Sequence, residues 1–471
     1  MRKLILFVWV IGSLSAAGQQ PVVYYQPYTS AFAARKLSRQ EVAGDLRQWQ
    51  EWMEQIHPRL YHSITADSLT RFRESLISAM PDSLSHQQAL LAVGRMIGAI
   101  NEGHIILPRS DVTDSLYIGA YERLPFSLFS FTEDGMIVDA DWSREQRLPR
   151  GSRVLSINGY PASRLHAMFL PYFGGFPHWK NQLLATFLRK LLFLHDIHPP
   201  FHIRAITPQG DSLSFTTDGL TRGNLDSLNK AISRSGATAA APFTIEIGSD
   251  SIALIRFNSM NQQYADSFRS FLRRAFTRIR DAKCRGLVVD LRQNSGGSSS
   301  VGDLLTSYIT DRPYRLAGGS KWKVSEPYKA FLRLSNSKNE DYLGREVGTL
   351  ISYRDKNLQH PPVNELRFQG KVALLIGPST FSSANMLADG IKTFQLARVF
   401  GTATGESGND FGEIFPLMLP ATRVIVTATS KMFVRASGDE NDFSPTLPDV
   451  EVKPELGRDA PLEAARKWIL E

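Results

Sequence analysis

Apolar residues recur at helical spacing through the first hundred positions. Ser38-x-x-Glu41 has the capping-box pattern, with Leu37 and Val42 placed as a hydrophobic staple. Leu46, Trp49, Met53 and Ile56 continue the stripe until His57-Pro58 stops it. A second helix is predicted from Ser85-x-x-Gln88 through Leu90, Val93, Ile97 and Ile100. It ends at Asn101-Glu102-Gly103-His104, with Gly103 as the residue just past the helix. These stripes predict a small helical domain over residues 19–112.

From about residue 115 the pattern shortens to strands. LPFSLFSF and GMIVDADW flank the turn at Glu133-Asp134-Gly135, and GSRVLSINGYPA (Gly151 to Ala162) ends in an Asn158-Gly159 turn. FHIRAIT and SLSFTT flank Gly210-Asp211. A β-rich domain is predicted over 113–222, followed by a Gly/Ala/Ser-rich linker over 223–243. Beyond residue 245 strands alternate with helices, which predicts a layered α/β domain over 244–471. GLVVDLR (Gly286 to Arg292) and KVALLIG (Lys371 to Gly377) are continuous apolar runs of the kind buried parallel strands need. The fold class is therefore α/β and multi-domain.

Composition narrows the chemistry. The single cysteine among 471 residues, Cys284, excludes an intramolecular disulfide, a cysteine zinc cage and an Fe–S cluster. The formal charge of +8 contains no Lys/Arg block, so nucleic acid is not the expected partner. The segment MRKLILFVWVIGSLSAAGQQ reads as a secretory signal over residues 1–18: Arg2 and Lys3, an apolar run, then Ser15-Ala16-Ala17-Gly18. Its removal lowers the charge to +6, and no later segment reaches the ~20 apolar residues a spanning helix needs. An exported protein, periplasmic or extracellular, is expected.

Three places carry candidate chemistry. Ser382 follows a buried strand and opens a helix, where free N–H groups stabilise a developing oxyanion. The same position also suits a helix N-cap, for which Ser379, Thr380 and Ser383 are equally eligible. Asn294-Ser295-Gly296-Gly297 presents backbone N–H groups at a strand's end, as an oxyanion hole or a plain glycine turn would. His104 lies past a helix C-terminus, a position that suits a general base as well as a structural histidine.

Together these blocks resemble a known family. GLVVDLRQNSGG (Gly286 to Gly297), KVALLIGPSTFSSANMLADGIKTFQLARVFGTATG (Lys371 to Gly405) and Glu102-Gly103-His104 are similar to the signature blocks of the C-terminal-processing (tail-specific) and tricorn-core serine peptidases. The order along the chain agrees, as does the closing Leu447-Pro448-Asp449-Val450-Glu451-Val452, and the resemblance spans roughly residues 95–455. GSRVLSINGYPA resembles the last strands of a PDZ domain. The resemblance implies a crotonase-like αβα core preceded by a PDZ-like domain and the N-terminal helices. It implies Ser382 as nucleophile and an oxyanion hole from the N–H of Ser383 with Gly296 or Gly297.

The family uses two kinds of base. Processing peptidases carry a lysine about 25 residues after the serine; here that position is Ser407, and no lysine occurs between Lys392 and Lys431. The tricorn-like branch uses a histidine oriented by a late acidic residue, which maps to His104 and Glu440, with Asp442 as the alternative. Three positions differ from the family pattern: Asn385 for an acid, Glu102 for an aspartate, and Gly103 for a hydroxyl residue. No metal or cofactor is implied. The expected activity is that of a serine endopeptidase acting on flexible polypeptides, with their C-termini as candidate anchors. The alternative is a non-catalytic peptide- or hydrophobic-ligand-binding protein on the same fold.

Overall fold

The computed structural model of the chain describes residues 27–119, 121–227 and 241–471. The expected signal segment, 1–18, and the greater part of the expected linker lie outside the described residues. After a short helical segment at Ser30–Ala34 come helices α1 (Arg39–Ile56), α2 (Ala66–Ala79) and α3 (His86–Gly98). Both capping boxes form. Ser38 Oγ accepts from the Glu41 N–H at 3.2 Å while Glu41 Oε2 accepts from the Ser38 N–H at 2.8 Å. Ser85 and Gln88 make the same exchange. α1 stops before Pro58, which disfavours helical backbone at His57.

α3 departs from expectation by ending at Gly98 rather than at 101–104. Gly98 packs so closely on Pro171 that a Cβ would lie 2.3 Å from its carbonyl oxygen, and Asn101 turns left-handed at φ 52°. Gly103 is therefore not a helix cap. It is small because a Cβ there would press on the Phe381 ring at 3.0 Å.

Five antiparallel strands follow, side by side in chain order: β1 (Phe126–Thr132), β2 (Gly135–Asp141), β3 (Arg153–Ile157), β4 (Phe201–Ile206) and β5 (Ser212–Thr217). Helix α4 (Pro177–Leu194) lies between β3 and β4 in sequence and packs against β1. Arg189 of α4 donates to the carbonyls of Leu124 and Phe126, both at 2.8 Å, which fixes the helix to the start of that strand.

Beyond residue 241 the elements run β6 (Phe243–Ile247), β7 (Ile252–Phe257), α5 (Ala265–Asp281), β8 (Gly286–Asp290) and α6 (Ser299–Ile309). Then come β9 (Gly319–Lys323), β10 (Leu350–Arg354), β11 (Lys371–Ile376), α7 (Ser383–Thr393) and β12 (Arg398–Gly401). The chain closes with β13 (Asp410–Met418), β14 (Ile425–Val434), β15 (Val450–Glu451) and α8 (Ala460–Leu470).

Six of these strands form one sheet in the order β15-β12-β11-β8-β7-β6, parallel throughout except for β6. Its side chains alternate between two helical layers. Ile255, Leu287, Val289 and Leu374 pack with α5, α6 and α7, whereas Leu254, Val288, Ala373 and Leu375 pack with α8. A Cβ on Gly286 would meet Ile469 of α8 at 2.2 Å, so the glycine admits that helix. The expected αβα layering is present. The remaining strands make an antiparallel sheet, β10-β9-β14-β13, whose Phe415, Leu417, Val426 and Ala428 share one apolar core with the N-terminal helices and the β1–β5 sheet. Among the described residues no helix is long and apolar enough to cross a membrane.

Asp45 ties the helices to that second sheet. Its buried carboxylate accepts from the N–H groups of Ala421 and Thr422 at 3.1 and 2.7 Å. Asp45→Ala leaves two buried donors unmet and is expected to cost about 1–3 kcal/mol in urea unfolding. A change within experimental error would show that this contact does not hold the two parts together.

Candidate active site

The loops at the carboxyl ends of β8, β11 and β12 lie side by side, because those strands are adjacent and parallel. In open α/β sheets this is the edge at which ligands bind. Ser382 stands between β11 and α7. The turn before it is stitched to its neighbour: the Thr380 hydroxyl donates to the Leu291 carbonyl at 2.9 Å and accepts from the Gly377 N–H at 3.1 Å. The Phe381 N–H donates to the Asn294 carbonyl at 3.1 Å. Ser382 itself is held at φ 52°, ψ −129°, a conformation costing a non-glycine residue about 1–3 kcal/mol. It occupies the N-cap position of α7, yet its hydroxyl caps nothing. The capping explanation of this serine therefore fails.

Of the three candidate N–H groups, Ser383 with Gly296 or Gly297, two are available. Among the described residues, the N–H groups of Ser383 and Gly297 have no acceptor within the chain. The two residues are in contact, since the Ser383 hydroxyl donates to the Gly297 carbonyl at 2.9 Å. Gly296 is the correction: its N–H already donates to Asn294 Oδ1 at 2.9 Å. Its contribution is space, because a Cβ at 296 would lie 2.8 Å from Ser382 Cβ and 3.0 Å from the Ser383 nitrogen.

His104 arrives on the stretch after α3. Its Nδ1 lies 2.7 Å from Glu406 Oε1 and 3.5 Å from Asp410 Oδ1, with Glu406 close to the ring nitrogen but out of line with its N–H direction. The other oxygen of the same carboxyl, Glu406 Oε2, accepts from the Ser382 N–H at 2.8 Å. One buried acid thus touches both the serine backbone and the histidine. The histidine stretch is clamped from α4. Trp179 donates its indole N–H to the Gly103 carbonyl at 3.1 Å and stacks on Phe381 at 4.3 Å between ring centroids. Phe381 in turn packs against the His104 ring.

Glu440, expected to orient His104, does not meet it. Lys321 and Arg354 hold its carboxylate, and the Lys321 hydrogen bond draws its pKa below the usual carboxylate value. Asp442, the alternative, pairs with Arg435. The acids beside His104 are Glu406 and Asp410. A signal for the first was present in the sequence, since Glu406 adjoins Ser407, the position at which the processing branch carries its lysine. Asn385, which replaces an acid, fixes that loop by donating to the Ser407 carbonyl at 2.7 Å.

Burial pushes the Glu406 carboxyl up to about 8, against its hydrogen bonds with Asp410 and the Ser382 N–H. Burial, and then the charge of Glu406, also raises Asp410 well above the usual range. Nearby, Glu102 Oε2 accepts from His57 Nε2 at 2.8 Å and from the Thr429 hydroxyl at 3.1 Å. His57 Nδ1 accepts from the Arg59 N–H at 3.0 Å, so its proton sits on Nε2 and the ring is neutral.

Residues 251–452 match peptidase family S41. That stretch carries Ser382, both free N–H groups and the acids facing His104, and it places the layered core among the serine-type peptidases. No curated protein matches the chain. Among solved structures, mature CPAF is 14% identical, covers 92% of this chain and 96% of its own, and superposes with a TM-score of 0.62. A CPAF variant gives 12% identity, the same coverages and 0.64. The photosystem II D1 C-terminal processing protease gives 13%, with 92% and 97% covered, and 0.46. At these identities the likeness to CPAF is one of fold.

A raised carboxyl pKa means the folded state holds its proton more tightly than the unfolded chain, whose glutamate titrates near 4.5. The Glu406 contribution to stability is therefore full below about pH 4.5 and lost as pH rises through about 8. Glu406→Gln is expected to flatten the decline in urea midpoint between pH 5 and pH 9. Parallel declines in the two proteins would refute the assignment.

Proposed function

We propose that the protein is an exported endopeptidase that hydrolyses peptide bonds in flexible polypeptides through an acyl-enzyme on Ser382. The observation that carries this reading is the Glu406 carboxyl, which joins the Ser382 N–H to His104 Nδ1 beside two unengaged N–H groups. His104 Nε2 takes the Ser382 proton as Oγ attacks the scissile carbonyl carbon. The oxyanion of the tetrahedral intermediate accepts from the Ser383 and Gly297 N–H groups, which the helix start and glycine loop hold in place beforehand. The Glu406 and Asp410 carboxyls both face Nδ1 of the imidazolium as it forms. Collapse expels the amine, which carries off the proton from His104. Water then repeats the sequence and releases the acid.

The β1–β5 sheet has β1 and β5 at its edges, and a peptide strand can add to such an edge. In this reading it is the PDZ-like element that anchors substrate C-termini. The N-terminal signal pattern supports export.

The test compares wild type with Ser382→Ala on a mixture of unfolded polypeptides, with products read by mass spectrometry. Cleavage is expected to vanish in the variant, and equal cleavage by both would remove Ser382 from the mechanism. The two acids separate in kinetics. Glu406→Gln is expected to lower kcat by about 10²- to 10⁴-fold, as loss of the histidine-orienting acid does in other triads. Glu440→Gln should stay within about threefold, because its ion pairs are partly solvated. The reverse order would restore Glu440 as the orienting acid.

A further inference from the structure

We propose that His104, Glu406 and Asp410 also form a binding site for a divalent transition-metal cation such as Zn²⁺, and that its occupancy switches the peptidase off. The site rests on the reading of His104 as base, and adds a regulatory ligand to it. His104 Nδ1 and one oxygen from each carboxyl all lie within 4.8 Å of one another. Tetrahedral Zn²⁺ with ligands at roughly 2.0–2.2 Å spaces them at about 3.3–3.6 Å. The 3.5 Å between Nδ1 and Asp410 Oδ1 fits that spacing, and the 2.7 Å to Glu406 Oε1 needs only a small opening.

A second observation points to a ligand. His104 Nδ1 and Asp410 Oδ1 are buried without a hydrogen-bond partner, in side chains only 9% and 1% exposed. Buried polar atoms are rarely left in this state. Glu102, Glu406 and Asp410 are all buried, and among the described residues none of the three pairs with a lysine or arginine. A cavity of about 230 Å³, lined in part by His62, Glu102, Gly103, Glu406 and Asn409, offers a path to Glu406. Imidazole with two carboxylates and no thiolate is a donor set that suits Zn²⁺ and leaves a fourth position for water.

Inhibition follows from the tautomer. A cation on Nδ1 uses the lone pair there, so the ring proton must sit on Nε2. Nε2 then has no lone pair with which to accept the Ser382 proton.

The test titrates ZnCl₂ into chelator-treated full-length wild type, Ser382→Ala and Asp410→Asn by calorimetry, with circular dichroism as the check on folding. Wild type and Ser382→Ala are expected to bind one ion with equal affinity, and Asp410→Asn to bind at least about tenfold more weakly. Should Asp410→Asn not fold, His104→Ala serves as the second variant with the same expectation. Equal binding by wild type and the folded variant would place the ion elsewhere and overturn the proposal, as would no binding at all. Because binding is read directly, it stands or falls separately from peptidase activity. Where cleavage is measurable, Zn²⁺ should inhibit over the concentration range of the calorimetric titration, and inhibition at unrelated concentrations would refute the switch.

Discussion

The buried carboxyl of Glu406 joins the two halves of the reacting machinery. One oxygen accepts from the backbone of Ser382 and the other faces His104, so the serine and the histidine are positioned by the same group. That group is expensive to bury, and the chain surrounds it accordingly. Asn385 holds the next residue's carbonyl, and the Thr404 hydroxyl donates to the Glu406 carbonyl at 3.1 Å. The left-handed backbone at Ser382 persists for the same reason. Hydrogen bonds from Thr380, Phe381 and Ser382 itself leave the turn no easier conformation.

The site is also an interlock between parts of the chain far apart in sequence. The start of α4 touches all three segments that bear the chemistry. Trp179 reaches the Gly103 carbonyl and the Phe381 ring, and His178 donates to the Thr404 carbonyl at 2.7 Å. A helix fastened to the β1–β5 sheet thereby sets where the histidine, serine and acid loops lie. The shared apolar core of that sheet, the N-terminal helices and β13–β14 makes the arrangement rigid. The αβα layers by themselves would present Ser382 without His104 beside it.

Electrostatically the centre is rich in carboxyls and poor in cations. Glu102 is satisfied on one oxygen by His57 and Thr429 and bare on the other, and Asp410 is bare at Oδ1. Such an interior favours positive charge wherever it can form. Glu440, by contrast, has Lys321 and Arg354 for partners and does not share this environment.

The sequence by itself determined the elements and their chemistry. Apolar period marked α1 and α3, the two runs around Val288 and Leu374 announced buried parallel strands, and the strand–serine–helix corner singled out Ser382. Local signals are reliable there because capping, periodicity and strand burial act over a few residues. The sequence did not indicate α4 in advance, although that helix clamps the site, because its first turn is defined by contacts with residues 103, 381 and 404. It also pointed to the wrong acid. The place of Glu406 beside Ser407 was a signal, but one that names no partner for it. Only the parallel order β8-β11-β12 brings the loop after β12 beside Ser382 and His104, while the ion pairs of Glu440 draw it to Lys321 and Arg354. Which polar group meets which is a matter of burial and strand order, and those exist only in the folded chain.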